Sequence, residues 1–200
     1  IASNQLLRAK VYPDSEDDRV EYAYNRLGQV KETTDQNGTI RALDYDKLGR
    51  LIHDRVTTLG TDVDGTVRRI SRTYEIRGMI ETITSYDNAS VGTGSVVNEV
   101  KSAYNDFAQL EQEYQSHGGA VNPSTTPKVV YAYADGSANT IRRTSQTYPD
   151  GREVVYDYGT AGEMNDLLSR VEALVEGATV PVRYKYLGLG EIVEAEYNAS

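Results

Sequence analysis

Histidine and carboxylate side chains are the first candidates for chemistry in this sequence, because they can bind metals or transfer protons. The chain has two histidines, His53 and His117, which lie far apart in the sequence. A zinc or catalytic site needs partners at a regular spacing, and neither an HxH nor an HExxH pattern occurs. The sequence also has no cysteine, which excludes thiolate metal sites and disulfides. We interpret both histidines as exposed polar residues and expect no metal and no other cofactor.

The densest group of carboxylates comprises Asp14, Glu16, Asp17 and Asp18. Such a run could hold calcium, but it lacks the alternating ligands and the glycine of a known calcium loop. Pairs of carboxylates could also act as in a glycosidase, which requires a separation of roughly 5 to 9.5 Å in a cleft. A repeat with Asp and Glu on its strands produces such pairs by chance. We therefore interpret the run as a solvated turn.

Serine and threonine are frequent, yet the sequence has no Gly-x-Ser-x-Gly elbow, no Walker motif and no dinucleotide-binding glycine motif. We therefore predict that the chain is not an enzyme and has no catalytic residues. The formal charge of −9 at pH 7 also argues against a nucleic-acid partner, because binding to a phosphate backbone requires clustered Lys and Arg.

Tyrosine is the residue type best suited to form a packing or recognition surface, with sixteen copies beside one phenylalanine and no tryptophan. A tyrosine ring packs like a large apolar group while its hydroxyl keeps a polar partner. Rings stacked at one level per repeat would form a ladder that stabilises a sheet. An exposed part of the ladder, flanked by Arg and Asp, would instead bind sugars by stacking. Both interpretations are open from the sequence alone, and carbohydrate is therefore an alternative partner.

The tyrosines recur in a short motif from one end of the chain to the other. The clearest copies span residues 22–30, 43–51, 72–80 and 102–110, and three weaker copies follow. The second aromatic residue of each copy serves as its anchor, and the seven anchors are Tyr24, Tyr45, Tyr74, Tyr104, Tyr133, Tyr158 and Tyr186. We interpret residues 1–200 as a single array of about seven repeats.

Each repeat predicts two strands joined by a tight turn, because polar and aromatic residues alternate with period two. Four residues after the anchor lies a glycine in five repeats, which predicts a positive φ there: Gly28, Gly49, Gly78, Gly162 and Gly190. Six residues after the anchor lies an apolar residue in six repeats, which predicts return to a buried face: Val30, Leu51, Ile80, Leu110, Met164 and Ile192.

Turns of a second class join the repeats, as Asn37-Gly38 and Asp150-Gly151 indicate. The fifth repeat has Asn139 at its apolar position, and Ile141 replaces it if the turn is longer. Small-residue runs predict loops at residues 89–95 and 118–126. Residues 167–175 fit either a short amphipathic helix or a strand, and we favour the strand.

The fullest copy, Leu43-Asp44-Tyr45-Asp46-Lys47-Leu48-Gly49-Arg50-Leu51, resembles the YD repeat of the Rhs family. That family includes bacterial Rhs toxins, the B and C components of insecticidal Tc toxins, and the animal teneurins. The resemblance covers the chain from about Tyr12 to Tyr197. It implies a ribbon of hairpins that spirals into a hollow shell, which encloses a C-terminal polypeptide in toxin relatives and supports adhesion domains in teneurins. The family's self-cleaving aspartate signature has no counterpart in this sequence.

We therefore expect an all-β fold of antiparallel tandem β-hairpins, forming a curved or spiralling sheet that is an open fragment of a shell. The expected function is structural, as part of the wall of a large bacterial protein, secreted or at the cell surface, that encloses a cargo or acts as a spacer. The alternatives are a carbohydrate-binding adhesion surface and, third, a hydrolase-like site on the concave face. The expected partners are neighbouring repeats and an enclosed polypeptide, and open strand edges predict an edge-to-edge homodimer.

Overall fold

The computed structural model describes residues 5–138 and 140–198, and the side chains of Glu16 and Asp17 lie outside the described part. Asn139, which occupies the expected apolar position of the fifth repeat, also lies outside it. The described residues form fifteen strands and one short helix, α1 (Met164–Leu167). The strands are β1 (Ala9–Tyr12), β2 (Ser15–Tyr24), β3 (Val30–Thr34), β4 (Ile40–Tyr45), β5 (Leu51–Thr58), β6 (Arg69–Tyr74), β7 (Ile80–Tyr86), β8 (Val96–Tyr104), β9 (Leu110–Ser116), β10 (Lys128–Tyr133), β11 (Arg143–Thr147), β12 (Glu153–Asp157), β13 (Ala173–Glu176), β14 (Thr179–Leu187) and β15 (Glu191–Tyr197).

The strands pair in chain order, as expected of successive hairpins, and the sheet order runs from β1 to β15. The pairs are antiparallel, so the expected all-β fold of tandem antiparallel hairpins is confirmed. The chain divides into two compact units. The first unit comprises Ile1–Ser102 and Tyr114–Thr126, and the second comprises Ala103–Glu113 and Pro127–Ser200. The interpretation of residues 1–200 as a single array stays a prediction.

The tight turns require a backbone conformation that a residue without a Cβ adopts most easily. The φ angles of Gly28, Gly49 and Gly78 are 79°, 81° and 94°. In the fourth repeat Ala108 occupies the same position with a φ of 64°, so the turn is kept without glycine. In the last repeat the positive φ of 58° belongs to Gly188, and the expectation for Gly190 is wrong. That turn is therefore built differently from the first four.

The fifth and sixth repeats have longer turns than the motif predicts. Tyr133 pairs with Arg143, and the expected Ile141 lies in the turn with 40% of its surface exposed. Met164 begins α1 and is 60% exposed, so its predicted place on a buried face is wrong. The predicted strand over residues 167–175 is present only from Ala173 onward, because the helix and a short turn occupy the first part.

The last strand also differs from expectation, since Ile192 on β15 is 52% exposed. The bulge in β14 does pair Ile192 with the anchor Tyr186, as the motif predicts. All residues of β15 are exposed, which shows that pairing position alone does not bury a side chain in this strand.

Little of the apolar surface is fully buried. The buried apolar residues of the described part are Tyr114, Tyr158, Ala173 and Val182, and the buried polar ones are Thr39, Arg69, Thr84 and Ser145. Most strand residues are half-buried, so stability depends on strand ladders, cross-strand pairs and side-chain hydrogen bonds. Over the described residues, no helix has the length and apolar character needed to cross a membrane.

Candidate functional site

In the first four repeats, the acidic or amide residue after the anchor tyrosine closes the tight turn. Asp46 Oδ1 accepts hydrogen bonds of 2.9 Å from the backbone N–H groups of Leu48 and Arg50. Asn25 and Asn105 accept the corresponding pairs in their own turns at 2.9 to 3.0 Å. The bond from the Arg50 backbone is the main cause that lowers the pKa of Asp46, because hydrogen bonds to a carboxylate favour its charged form. The aspartate of the Tyr-Asp motif is thus a turn cap.

The anchor tyrosine joins its own hairpin to the preceding hairpin. The Tyr45 hydroxyl donates a hydrogen bond to the carbonyl oxygen of Val30 on β3, 2.7 Å away. The same bond, with lengths of 2.6 to 2.9 Å, joins Tyr24 to Leu7, Tyr45 to Val30, Tyr74 to Leu51, Tyr133 to Leu110, Tyr158 to Arg143 and Tyr186 to Val171. Each accepting carbonyl lies at the start of a strand or just before it. The hydroxyl can therefore use a free lone pair of the carbonyl without breaking the strand ladder.

For five of the six accepting carbonyls, the preceding Arg or Gln side chain reaches towards the next hairpin. Arg50 precedes Leu51, and its guanidinium carbon lies 4.2 Å from the centre of the Tyr74 ring. The same contact joins Arg142 to Tyr158 at 4.0 Å and Arg170 to Tyr186 at 4.7 Å. A cation over the face of an aromatic ring is attracted by the electron density of that face. The arginine near the end of the motif therefore contacts the anchor tyrosine of the following repeat.

Glutamine makes a related contact where arginine is replaced. Gln29 Nε2 donates a hydrogen bond of 2.8 Å to the carbonyl oxygen of Gly49 in the next tight turn. Arg170 combines both contacts, because it also donates to the carbonyl oxygen of Gly188 at 2.7 Å. We define the tyrosine latch as two contacts between successive hairpins. One is the hydrogen bond from the anchor tyrosine hydroxyl to a backbone carbonyl, and the other is the contact of the Arg or Gln side chain that precedes this carbonyl. The latch joins successive hairpins at two points beyond the strand ladder.

A row of polar side chains crosses β4, β5 and β6 in the first unit. Asp44 lies opposite His53, and His53 lies opposite Ser71, with 2.9 Å between His53 Nδ1 and Ser71 Oγ. A serine beside a histidine is the pairing needed for nucleophilic catalysis. However, Asp44 is held by Arg55 through bonds of 2.6 and 3.1 Å, and Arg69 Nε donates to the same Ser71 Oγ at 3.1 Å. The row is thus a hydrogen-bonded brace across three strands.

The structure corrects the interpretation of His53 as an exposed residue, since this side chain is half-buried. Burial is the main cause that lowers the pKa of its imidazole. The positive charges of Arg69 and Arg55 lower the pKa further, whereas Asp44 raises it. The neutral imidazole is therefore favoured near pH 7. His117 is exposed, as expected.

Arg69 is a structural residue that the sequence analysis missed. It is only 3% exposed, and its guanidinium lies 4.0 Å from the centre of the Tyr86 ring. Its nitrogen atoms donate hydrogen bonds to the carbonyl oxygens of Asn88, Ser90 and Thr93. The predicted loop after β7 is therefore bound to the sheet by one arginine. The sequence signal is weak, because this arginine lies in an ordinary strand pattern.

The structure describes no group of three or more His, Asp or Glu side chains, within residues 5–138 and 140–198, that could hold a metal ion. The calcium hypothesis for the run at Asp14 depends partly on Glu16 and Asp17, whose side chains lie outside the described residues. The expectations of no metal and no catalytic residue therefore stay predictions.

An open groove of about 420 Å³ lies in the second unit. Its lining includes the tyrosine rings of Tyr184 and Tyr186, the carboxylates of Glu163, Glu172, Glu194 and Glu196, and the cations Arg170, Arg183 and Lys185. Asn165 Nδ2 donates a hydrogen bond of 3.0 Å to Glu172 Oε2, which fixes that carboxylate. A Cβ on Gly159 would clash with the same oxygen, so a larger residue there would displace this carboxylate. Aromatic faces beside carboxylates can stack on a sugar ring and accept its hydroxyl hydrogen bonds.

Comparison with solved structures finds parts of Tc toxin assemblies. The crystal structure of TcdB2-TccC3-TEV matches with 11% identity and a TM-score of 0.35, over 96% of this chain and 12% of that chain. The crystal structure of TcdB2-TccC3 without its hypervariable C-terminal region matches with 12% identity and a TM-score of 0.40, over 90% of this chain and 10% of that chain. The Photorhabdus luminescens Tc holotoxin pore matches with 11% identity and a TM-score of 0.35, over 96% and 12%. This chain thus spans about a tenth of the length of those chains.

Comparison with curated protein sequences gives no match. The family model described as RHS Repeat matches residues 24–62, which contain the anchors Tyr24 and Tyr45 and the fullest copy of the motif. The resemblance drawn from the tyrosine motif is therefore confirmed over residues 24–62, which match the RHS Repeat family model.

Proposed function

We propose that this hairpin array forms part of the wall of a shell, in a large secreted or surface protein of a bacterium, and that the shell encloses a polypeptide cargo. The RHS repeat at residues 24–62 supports the coarser role of a repeat scaffold. The tyrosine latch carries the proposal, because it joins successive hairpins within each unit without a thick core. A wall can then be extended by adding hairpins.

The role is structural and not catalytic. The polar side chains with the strongest catalytic resemblance, His53 and Ser71, are bonded to each other, and Arg69 also occupies the Ser71 hydroxyl. Asp44 neutralises Arg55 and is not free to orient the imidazole. These groups stabilise the sheet by cross-strand contacts, which is the role that a wall requires.

The test of the shell is the parent gene and its full-length product. The gene is read on both sides of the 200 residues, and the product is imaged by electron microscopy and treated with protease. We expect further tyrosine repeats, a hollow particle, and a non-repeat segment that is cleaved only after the particle is unfolded. A short array flanked by adhesion modules, with non-repeat segments that are cleaved at once, would replace the shell with a surface spacer.

The groove of the second unit favours a second candidate, a carbohydrate-binding surface. Its two tyrosine rings and four carboxylates offer the stacking faces and acceptors that a sugar requires. A glycan array probed with the parent chain and with Tyr184→Ala tests it. Binding that is lost in this variant, and kept when the 77% exposed Tyr197 is replaced by alanine, supports the candidate. No binding by the parent chain removes it.

A further inference from the structure

The tight turns and the connecting turns of the first unit lie at opposite edges of its sheet. Because each strand is antiparallel to the next, the turns after β2, β4 and β6 share one edge. The turns after β1, β3, β5 and β7 share the other. We call the first the basic edge and the second the acidic edge, for the charges described below.

Each turn at the basic edge presents an apolar side chain and a cation to solvent. Leu27, Leu48 and Ile76 are 79%, 78% and 101% exposed. The adjacent cations are Arg26, Lys47 and Arg77. These apolar residues are not needed to form the turns, which are closed by the capping residue and the positive φ described above. Each of three successive turns therefore exposes a large apolar side chain that is not needed to form the hairpin.

The net charge of this edge is positive. Arg77 is paired with Glu75 at 2.8 Å, and Asp46 is paired with Arg50 at 2.7 Å, so these charges cancel locally. Arg26 and Lys47 are exposed and supply the remaining charge.

The acidic edge has the opposite character. Its exposed carboxylates are Asp14, Asp35, Asp62, Asp64 and Asp87. The cation in these turns, Arg68, is folded back onto the sheet, where its guanidinium donates to the carbonyl oxygens of Val56 and Thr57. Exposed apolar groups are present here as well, since Val63 and Val91 are 41% and 53% exposed.

We propose that the two edges are complementary, and that the basic edge of one copy of this chain docks onto the acidic edge of a second copy. The charges are opposite, and each edge adds apolar groups that a contact would remove from water. Turns recur at every second strand on both edges, which is about 10 Å in a sheet with strands roughly 4.8 Å apart. The leucine tips of one edge therefore have the same spacing as the turns of the other. A second copy of the chain therefore offers opposite charge, exposed apolar groups and turns at the same spacing.

This contact goes beyond the proposed role in a wall, and it differs from the strand-edge homodimer expected from the sequence. It joins side chains of the turns and leaves the outer strands β1 and β15 unpaired. Because two different surfaces meet, the contact is heterologous and can continue past a dimer. Each copy has an overall charge of −9, so two copies repel each other at long range. Association should therefore be measured at physiological ionic strength, where salt screens charges beyond about 8 Å.

Sedimentation equilibrium over the micromolar range tests the proposal with the purified chain. We expect a mass that rises with concentration. The double variant Arg26→Glu with Lys47→Glu reverses the basic edge and should weaken association by about tenfold or more. The matched control is Lys10→Glu with Lys31→Glu, which changes the net charge equally at exposed strand positions and should associate like the parent chain.

Two more variants separate charge from apolar contact. Leu27→Ser with Leu48→Ser keeps the charge and should also weaken association, while the melting temperature stays that of the parent because both side chains are exposed. The double variant Asp14→Lys with Asp62→Lys reverses charges on the acidic edge, and by itself it should associate more weakly than the parent chain. When it is mixed with the Arg26→Glu, Lys47→Glu variant, the two reversed edges are again opposite in charge, so association should be restored. A parent chain that is monomeric throughout overturns the proposal. Association that is unchanged in the basic-edge variant also overturns it, in favour of strand-edge pairing.

Discussion

The guanidinium of Arg50 lies over the ring of Tyr74, and the hydroxyl of the same tyrosine donates to the carbonyl of Leu51, the residue after Arg50. Two consecutive residues of one hairpin therefore hold the face and the tip of a ring that belongs to the next. The face contact requires only the ring, whereas the tip contact requires the hydroxyl. Mutation can separate the two contributions.

Tyr74→Phe should lower the free energy of unfolding by about 1 kcal/mol, because it removes one hydrogen bond and keeps the ring. Tyr74→Ala should cost about 2 to 4 kcal/mol, since the ring contact with Arg50 and the ring packing are lost as well. Urea denaturation measures both. Tyr197→Phe is the control, because that ring is 77% exposed and should tolerate the change. Equal stability of Tyr74→Phe and the parent chain would show that the hydroxyl bond contributes nothing.

Ala108→Gly should stabilise the chain by about 0.5 to 1 kcal/mol. A residue with a Cβ is strained at the φ of 64°, and glycine relieves this at the cost of a more flexible unfolded state. The reverse change, Gly28→Ala, should cost about 1 kcal/mol. It measures the backbone alone, because a Cβ on Gly28 would have no atom within 4 Å. Thermal unfolding of the three chains gives the comparison, and a destabilised Ala108→Gly would contradict it.

Arg69→Ala should lower the free energy of unfolding by about 2 to 4 kcal/mol, because three carbonyl oxygens of the loop lose a shared donor. Hydrogen exchange should accelerate more over residues 87–95 than over strands β2 and β3, which lie outside the brace that includes Arg69 and Ser71. Arg19→Ala is the control, since that side chain is 50% exposed and its ion pair is with the equally exposed Glu21. Unchanged exchange in the loop would mean that Arg69 does not hold it.

The stability of the first unit should fall at acid pH because of His53. The pKa of this imidazole is lower in the folded chain than in the unfolded chain, so the unfolded chain binds more protons between the two values. The stabilisation linked to neutral His53 is fully present above the unfolded-state pKa of about 6.5, and it is lost as the pH falls through the pKa of His53 in the folded chain. His53→Gln should remove this part of the pH dependence in urea denaturation. His117→Gln should retain it, because His117 is exposed.

The repeated fold could be predicted because the signals are local. Period-two alternation at Tyr22 and Tyr24 and the glycine four residues after the anchor specify a hairpin before any long-range contact forms. The prediction failed where one residue type could be replaced by another at the same backbone position. Ala108 adopts the glycine conformation, and Arg143 takes the pairing position predicted for an apolar residue.

The contacts between hairpins were harder to predict, because they depend on which strands become neighbours and at what register. The lowered pKa of His53 depends first on its burial and then on the charges of Asp44, Arg69 and Arg55, which lie on its own and adjacent strands. The role of Arg69 depends on a loop that is twenty or so residues away in the chain and rich in small residues. The charge difference between the two edges also becomes visible only when the turns are assigned to an edge.

The direction of the tyrosine latch has a consequence for biosynthesis. In the six tyrosine hydroxyl bonds described, the accepting carbonyl precedes its tyrosine by 15 to 23 residues. A ribosome delivers the N-terminal partner first, at roughly 5 to 20 residues per second. Each emerging hairpin therefore follows an acceptor that has already been synthesised, and the sheet can assemble vectorially, one hairpin every few seconds, during translation.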